Sequence, residues 1–353
     1  MTHPVLVGDI GGTNARFAIA EVRSPTEVRI VHEARYPSSD APGLAPLVLR
    51  YLAEAGTRPE VACFGIACPV VEDDCAPRNL PWKVNTRRLA DDIGIPRTAI
   101  VNDFRAIGYG LHSLSADEVA VLQEGVEVTH GPIGLIGAGT GLGHGYLVWD
   151  GSRYEVHPSE GGHVDFAPTD ALQRDLLAYL SRELRRVSFE RVVSGPGIAR
   201  IYRFLQSTGA AEEQAAVRDE IGGGDPAPVI VRHALAGTDP LSARTLDLFI
   251  RAYGAAAGNL ALTILATGGV YIAGGIAPRI LDRLGAGPFM QAFRDKGRLS
   301  SVIARIPVRV ILTDDVALYG AATVAARTSM DQSKGSTWQP APLPQPNRST
   351  SSA

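Results

Sequence analysis

Lysine is almost missing from this chain: its 353 residues hold Lys83, Lys296 and Lys334 and no others. None stands in a glycine-rich loop, which excludes a Walker-type lysine on phosphate. A protein kinase is excluded too, because the strand lysine and the HRD and DFG motifs are missing. Cysteine is nearly as scarce. Cys63, Cys68 and Cys75 match no zinc or CxxC spacing, so they read as three reduced thiols of a cytoplasmic protein. Charge of one sign is lacking as well. A formal net charge of -3 gives no attraction to nucleic acid or to an anionic membrane, and small-molecule chemistry fits better.

Two further absences concern membranes. The start, MTHPVLVGDIGG, has neither the basic residues nor the long apolar run of a secretory signal. From Ala252 to Pro278 no residue is charged, a length that could span a bilayer. Yet that stretch carries Gly254, Gly258, Asn259, Gly268, Gly269, Gly274 and Gly275. A helix ending near Thr267, a Gly-Gly turn and a strand Val270–Ala273 explain it better.

What remains is a soluble composition, 45% hydrophobic and 20% charged, on a chain longer than one core usually supports. Pro4-Val5-Leu6-Val7 reads as a strand running into Gly8-Asp9-Ile10-Gly11-Gly12-Thr13, and Phe17–Ala20 as its return. Leu44, Leu47, Val48, Tyr51 and Leu52 carry a helical period, and 61–67 and 99–101 read as buried strands. The opening theme then recurs about 130 residues on. Ile133–Ile136 leads into Gly137-Ala138-Gly139-Thr140-Gly141-Leu142-Gly143, with Tyr146–Trp149 as return strand. This is an internal duplication of architecture. Helices are expected over Ala171–Leu184, Leu241–Leu265 and Leu318–Arg327, and the Ser/Pro/Gln-rich 331–353 tail is expected to be disordered.

Each glycine loop suits an anion, because glycine lets successive backbone N–H groups converge, while Thr13 and Thr140 add hydroxyls. One such loop alone is equally well a plain hairpin turn; two in matching contexts point to phosphate. GAGTGLG is not a dinucleotide fingerprint, since Leu142 stands where the third glycine belongs. Asp9 beside the first loop can hold Mg²⁺ through water, or can be a turn aspartate bonding its own backbone. Asp103, at the end of strand 99–101 in Val101-Asn102-Asp103-Phe104, is a carboxylate whose immediate neighbours carry no counter-charge. Ser159-Glu160-Gly161-Gly162-His163-Val164-Asp165 suits the hydroxyls of a polyol, with a solvated turn as the alternative. Glu190, by itself, reads as a surface helix residue or a salt-bridge partner. The glycines of Ile272-Ala273-Gly274-Gly275-Ile276 could let a flat base lie against backbone.

Taken in order, DIGGTN (9–14), VNDF (101–104), GAGTGLG (137–143), SEGGHVDFAP (159–168), SGPG (194–197) and IAGGI (272–276) closely resemble bacterial glucokinases. The resemblance runs from about Val5 to Arg327. It implies an α/β, two-domain actin-like ATPase (ribonuclease-H-like) fold with an interdomain cleft. The domains expected are 1–112, completed by about 305–328, and 113–304. It further implies transfer of the γ-phosphoryl of ATP to the C6 hydroxyl of D-glucose, with Mg²⁺. By resemblance Asp103 is the catalytic base, and Asn79, Asn102, Asp103, Glu160, His163 and Glu190 contact the sugar. Gly8, Asp9, Ile10, Gly11, Gly12, Thr13, Gly139, Thr140, Gly141, Gly274 and Gly275 line the nucleotide, and a cytoplasmic homodimer is expected. The absence of cysteine after Gly161-Gly162-His163 favours the zinc-free glucokinase group over the repressor/ORF/kinase family. A kinase for another hexose, or a non-sugar actin-like ATPase, are the other readings of these motifs.

Overall fold

The computed structural model describes residues 4–331 except Pro25, Pro69, Glu72, Arg78, Asn79, Ala210 and Ala286. The 332–353 tail and Asn79 therefore lie outside the described residues. The strands, in chain order, are β1 (Pro4–Ile10), β2 (Asn14–Ser24), β3 (Glu27–Pro37), β4 (Val61–Ile66), β5 (Asp74–Cys75), β6 (Val84–Asn85), β7 (Arg97–Asn102), β8 (Val119–Gln123), β9 (Ile133–Ala138), β10 (Leu142–Trp149), β11 (Tyr154–Ser159), β12 (Gly269–Ala273) and β13 (Val308–Ile311). They form a five-stranded sheet ordered β3-β2-β1-β4-β7, a six-stranded sheet ordered β11-β10-β9-β12-β13-β8, and a small β5-β6 ribbon. The two large sheets share a plan. In each, a hairpin holding a glycine loop (β1-β2, β9-β10) is extended by parallel neighbours, β4 and β7 or β12 and β13.

Alternation along the strands decides what covers each face. In the first sheet Leu6, Phe17, Ile19 and Phe64 pack with Leu44, Leu47, Val48 and Tyr51 of helix α1 (Leu44–Ala55). The alternate residues Val5, Val7, Ala18, Ala20 and Cys63 meet Leu318, Ala321, Ala322 and Ala325 of the C-terminal helix Val316–Asp331. Small residues on both sides let helix and sheet approach closely. Helix α2 (Thr86–Ile93) buries Leu89 and Ile93. Helix α3 (Asp103–Gly110) leaves the first sheet directly after β7 and crosses the C-terminal helix. A Cβ on Gly320 would fall 1.7 Å from the Ala106 carbonyl oxygen, so only glycine permits this crossing.

The segment 305–328, expected to complete the first domain in part, divides between the two sheets. β13 pairs with β12 and β8 in the second sheet, and the helix after it packs on β1, β4 and β2 of the first. The charge-free 252–278 stretch resolves into the end of helix Pro240–Ile264, buried along most of its length, followed by β12. The helix stops at Ile264 rather than near Thr267, because Leu265 turns left-handed (φ 48°) and its N–H closes onto Ala261 and Leu262. Among the described residues no helix is long and apolar enough to cross a membrane. Helix Ala171–Leu180 likewise ends short of Leu184.

The cysteine expectation is corrected. Cys68 and Cys75 form a disulfide with Cα atoms 6.0 Å apart, and only Cys63 is free. Paired backbone bonds between Val71 and Asp74 (3.0 and 2.9 Å) fold the loop back and bring the two sulfurs together, which spacing alone does not reveal.

Candidate active site

Asp103 sits where the first sheet hands the chain to α3. Asn102 caps that helix: its side-chain oxygen accepts from Arg105 N at 3.2 Å, satisfying an N–H of the first turn. Its amide donates to Asp103 Oδ1 at 2.9 Å and to the Cys68 carbonyl at 3.2 Å. Asp103 Oδ1 also accepts from Phe104 N at 2.9 Å. One carboxylate oxygen is thus anchored and oriented by its own neighbours. Burial pushes the Asp103 carboxyl up to about 6, with the Asp9 charge raising it further against the Phe104 and Asn102 hydrogen bonds.

Asp9 lies on β1, one strand away from β4 and paired in register with Gly65 there and with Arg16 on β2. Burial raises its carboxyl to about 6 as well; Arg16 opposes that rise and Asp314 adds to it. A Cβ on Gly65 would lie 3.7 Å from the Gly8 oxygen and 3.9 Å from Asp103 Cα, so Gly8 and Asp103 flank one bare strand position. The first glycine loop is held by Gly11 N to Asn14 O (2.9 Å) and by Ser38 Oγ to Gly11 O (2.8 Å), leaving Gly12 and Thr13 exposed.

The next residue faces the other sheet. The Phe104 ring lies against Gly143 and Gly137, on the strands flanking the second loop. That loop closes by Gly139 N to Gly141 O (2.9 Å). Gly195 N, at the start of helix Gly195–Ser207, donates to Gly139 O at 2.8 Å. Ser194 caps this helix through Gly197 N (3.1 Å) and donates to Glu190 O (2.7 Å). Gly274 and Ile276 lie behind the same loop: Ile276 N donates to Ala138 O at 3.3 Å, and a Cβ on Gly274 would meet that oxygen at 2.5 Å.

Glu160, His163 and Glu190, separated by up to thirty positions, converge. His163 Nε2 is 3.6 Å from Glu160 Oε2, and its Nδ1 is 3.8 Å from Glu190 Oε1. The approach comes from packing. Phe166 N donates to Val187 O (3.0 Å), Phe189 N to Val164 O (3.0 Å), and the Phe166 and Phe189 rings meet edge to face. Glu190, read alone as a surface residue, is half-buried, and its Oε2 accepts from Leu142 N at 3.1 Å. A Cβ on Gly141 would fall 2.6 Å from that same oxygen. Glu190 therefore touches both the second glycine loop and the His163 group. Beneath Gly161 lies His144, whose burial lowers its imidazole to about 4 and keeps it neutral.

The structure thus places two glycine loops on opposite sheets, a half-buried aspartate whose neighbour Phe104 reaches the strands of the second loop, and a Glu-His-Glu group beside that loop. Asn79 cannot be placed, lying outside the described residues. Residues given no role by sequence include Ser38, Phe104, Ser194 and Tyr253, whose hydroxyl accepts from Ala138 N at 3.1 Å. Only Ser194 carried a readable signal, as a Ser-Gly-Pro helix start.

The chain as a whole has counterparts among known proteins. A glucokinase family model matches residues 6–328. The glucokinase of Trichormus variabilis is 45% identical over 340 residues, covering 92% of this chain and 99% of that protein. The crystal structure of a glucokinase from an Antarctic psychrotroph matches with a TM-score of 0.79 at 32% identity, over 92% of this chain and 99% of that one. A Balamuthia mandrillaris glucokinase crystallised with glucose shares the fold, with a TM-score of 0.75 at 20% identity over 92% and 94% of the two chains. The chain belongs to the glucokinase family.

Proposed function

We propose that the cleft between the two sheets transfers the γ-phosphoryl group of ATP to the C6 hydroxyl of D-glucose, with Asp103 as general base. The O6–H proton passes to the Asp103 carboxylate as O6 bonds to the γ-phosphorus. The bond from that phosphorus to the β–γ bridging oxygen breaks, and ADP leaves. The observation that carries this reading is the placement of Asp103: one oxygen anchored by Phe104 N and Asn102, its backbone across the bare Gly65 position from Gly8, and its neighbour Phe104 on Gly143. A base raised to about 6 stays ionised at neutral pH while holding a proton better than an ordinary carboxylate. Phosphoryl transfer otherwise asks the protein for positioning and charge stabilisation, which two opposed backbone loops can supply.

Asn102, Glu160, His163 and Glu190 form the sugar's set of hydrogen-bond partners, joined by Asn79. Gly8, Asp9, Ile10, Gly11, Gly12 and Thr13 on one side, and Gly139, Thr140 and Gly141 on the other, bracket the phosphates, with Gly274 and Gly275 by the adenosine. Asp9 fits Mg²⁺: it is a half-buried carboxylate whose charge desolvation disfavours, and a cation would offset that cost. Among the described residues no group of three or more His, Cys, Asp or Glu is poised to hold a metal, so the ion would share Asp9 with water and phosphate oxygens. When bound it neutralises phosphate charge. A division at 1–112 and 113–304, with the last helix completing the first domain, makes the cleft the site of closure. A cytoplasmic homodimer belongs to the same reading.

A coupled ADP-release assay with ATP against a panel of hexoses tests it. Glucose-dependent release is expected, with mannose, fructose and N-acetylglucosamine weaker. Release independent of any sugar, or a strong preference for another hexose, would overturn the assignment.

A further inference from the structure

Arg16 is a buried arginine on β2, and its guanidinium has three partners. Nε donates to Glu33 Oε1 on β3 at 2.9 Å, Nη1 to the Asp314 carbonyl at 3.0 Å, and Nη2 to Asp315 Oδ1 at 2.5 Å. Glu33 belongs to the same sheet as Arg16. Asp314 and Asp315 do not: they lie in the short connection from β13, a strand of the second sheet, to the C-terminal helix, which packs on the first. A planar guanidinium with five donors can bridge such acceptors at fixed angles, whereas an ammonium cannot.

The location gives this bridge a consequence. In the described structure the chain passes between the large sheets through 103–118 and through 312–315. The helices beside these passages, α3 and the C-terminal helix, cross in close contact at Gly320 and Ala106, with no room for a Cβ on Gly320. Any change in the relation of the two sheets is therefore felt in these passages, of which the four-residue 312–315 is the shorter. Arg16 stands two residues beyond Asn14, whose carbonyl closes the first glycine loop by accepting from Gly11 N at 2.9 Å.

We propose that Arg16 is a positioning residue that fastens the 312–315 passage to the strand carrying the first phosphate loop, so that closure presents that loop to ATP in one fixed relation to the second sheet. This rests on the phosphotransfer reading above. Glu33 holds the guanidinium from the sheet side, and the Asp314 carbonyl with Asp315 holds it from the passage.

The test uses Arg16→Gln, Arg16→Lys, Asp315→Asn and the Arg16→Gln/Asp315→Asn double variant. The readouts are kcat per folded molecule, glucose Kd by calorimetry without nucleotide, and glucose-induced compaction by small-angle scattering. Arg16→Gln is expected to lower kcat by roughly 10- to 100-fold, the scale of a misplaced reacting group, with glucose Kd changed less than about threefold. Asp315→Asn should act in the same direction, and the double variant should be no worse than Arg16→Gln, because both remove one coupling. Arg16→Lys should recover part of the loss. Effects that multiply in the double variant, or losses confined to thermal stability with kcat unchanged, would overturn the proposal. Asp315→Asn alone decides the matter should Arg16→Gln fail to fold. A wild-type chain without hexose-dependent ADP release would instead overturn the phosphotransfer reading.

Discussion

The Phe104 ring and Gly143 are in such close contact that a Cβ on Gly143 would lie 1.9 Å from the ring carbon Cε2. Phe104 follows the candidate base and Gly143 follows the second glycine loop, so under the proposed function this contact aligns the two sheets at the candidate site. Gly143→Ala should therefore displace Phe104 and, with it, Asp103. Overpacking of this kind costs about 1–3 kcal/mol of stability. The expected kinetic effect is a fall in kcat of roughly tenfold or more from misalignment. Steady-state kinetics beside thermal unfolding would check it; a stability loss with unaltered kcat would remove Phe104–Gly143 from the alignment.

Glu160 and Glu190 should separate kinetically. Among the described residues Glu160 pairs with His163, whereas Glu190 also accepts from Leu142 N of the second loop. A hydrogen bond to a charged group contributes about 1.5–3 kcal/mol, roughly tenfold or more in affinity. Glu160→Ala is expected to raise KM for glucose alone. Glu190→Ala should raise KM for glucose and for ATP. Identical kinetic signatures in the two variants would contradict this division.

The raised carboxyls predict the pH dependence. Asp103 must be ionised to accept a proton, so kcat/KM should rise with pH through a limb near 6 rather than near the ordinary aspartate range. Asp9 shifts to about the same value, and the limb belongs to the pair rather than to either residue. For stability the sign is opposite. A carboxyl raised in the folded state binds its proton more tightly there than in the unfolded chain. Its contribution is then fully favourable below the unfolded value and is lost as pH rises through the folded one. Asp103→Asn should thus raise thermal stability above about pH 6, by an amount on the order of 1–3 kcal/mol, and change little near pH 4. Unfolding curves across that range measure it.

The Cys68–Cys75 bridge closes a short loop whose Cys68 carbonyl accepts from Asn102. Such a loop contributes about 2–3 kcal/mol by restricting the unfolded chain. Cys75→Ser should lose about that much and raise the glucose KM, since Asn102 loses a fixed acceptor. Alkylation and mass analysis provide the direct check. Cys63 is buried, with its thiol pushed up to about 12, so the native protein should show no labelled thiol. One should appear on denaturation and three after reduction. Three labelled without reductant would refute the bridge.

Much of this was legible because the decisive elements are local. The apolar runs at 4–7, 99–101 and 133–136, each followed by glycine or an Asx residue, announce strands that stop at the candidate site. The duplicated glycine hairpins announce the shared plan of the sheets. β3 was not legible: Glu27–Pro37 alternates charge with small and apolar residues because it is an edge strand, half in water. The role of Glu190 was not legible by itself, because its neighbours Leu142 and His163 reach it through the packing of Phe166 on Phe189. Arg16 looks like one charge on an apolar strand until the fold brings Asp314 and Asp315, some three hundred residues away in sequence, against it. The disulfide escaped for a similar reason, since a turn at 71–74 creates the proximity that spacing leaves open.

The most direct measurement is kcat for Asp103→Asn at saturating ATP and glucose, with glucose binding measured separately. Asparagine keeps an oxygen for Phe104 N and Asn102 but cannot take the O6 proton. The expected result is a fall of ~10²–10⁴ in kcat with glucose Kd within a few-fold of wild type. A kcat equal to that of the wild type would contradict Asp103 as the base on which this account is built.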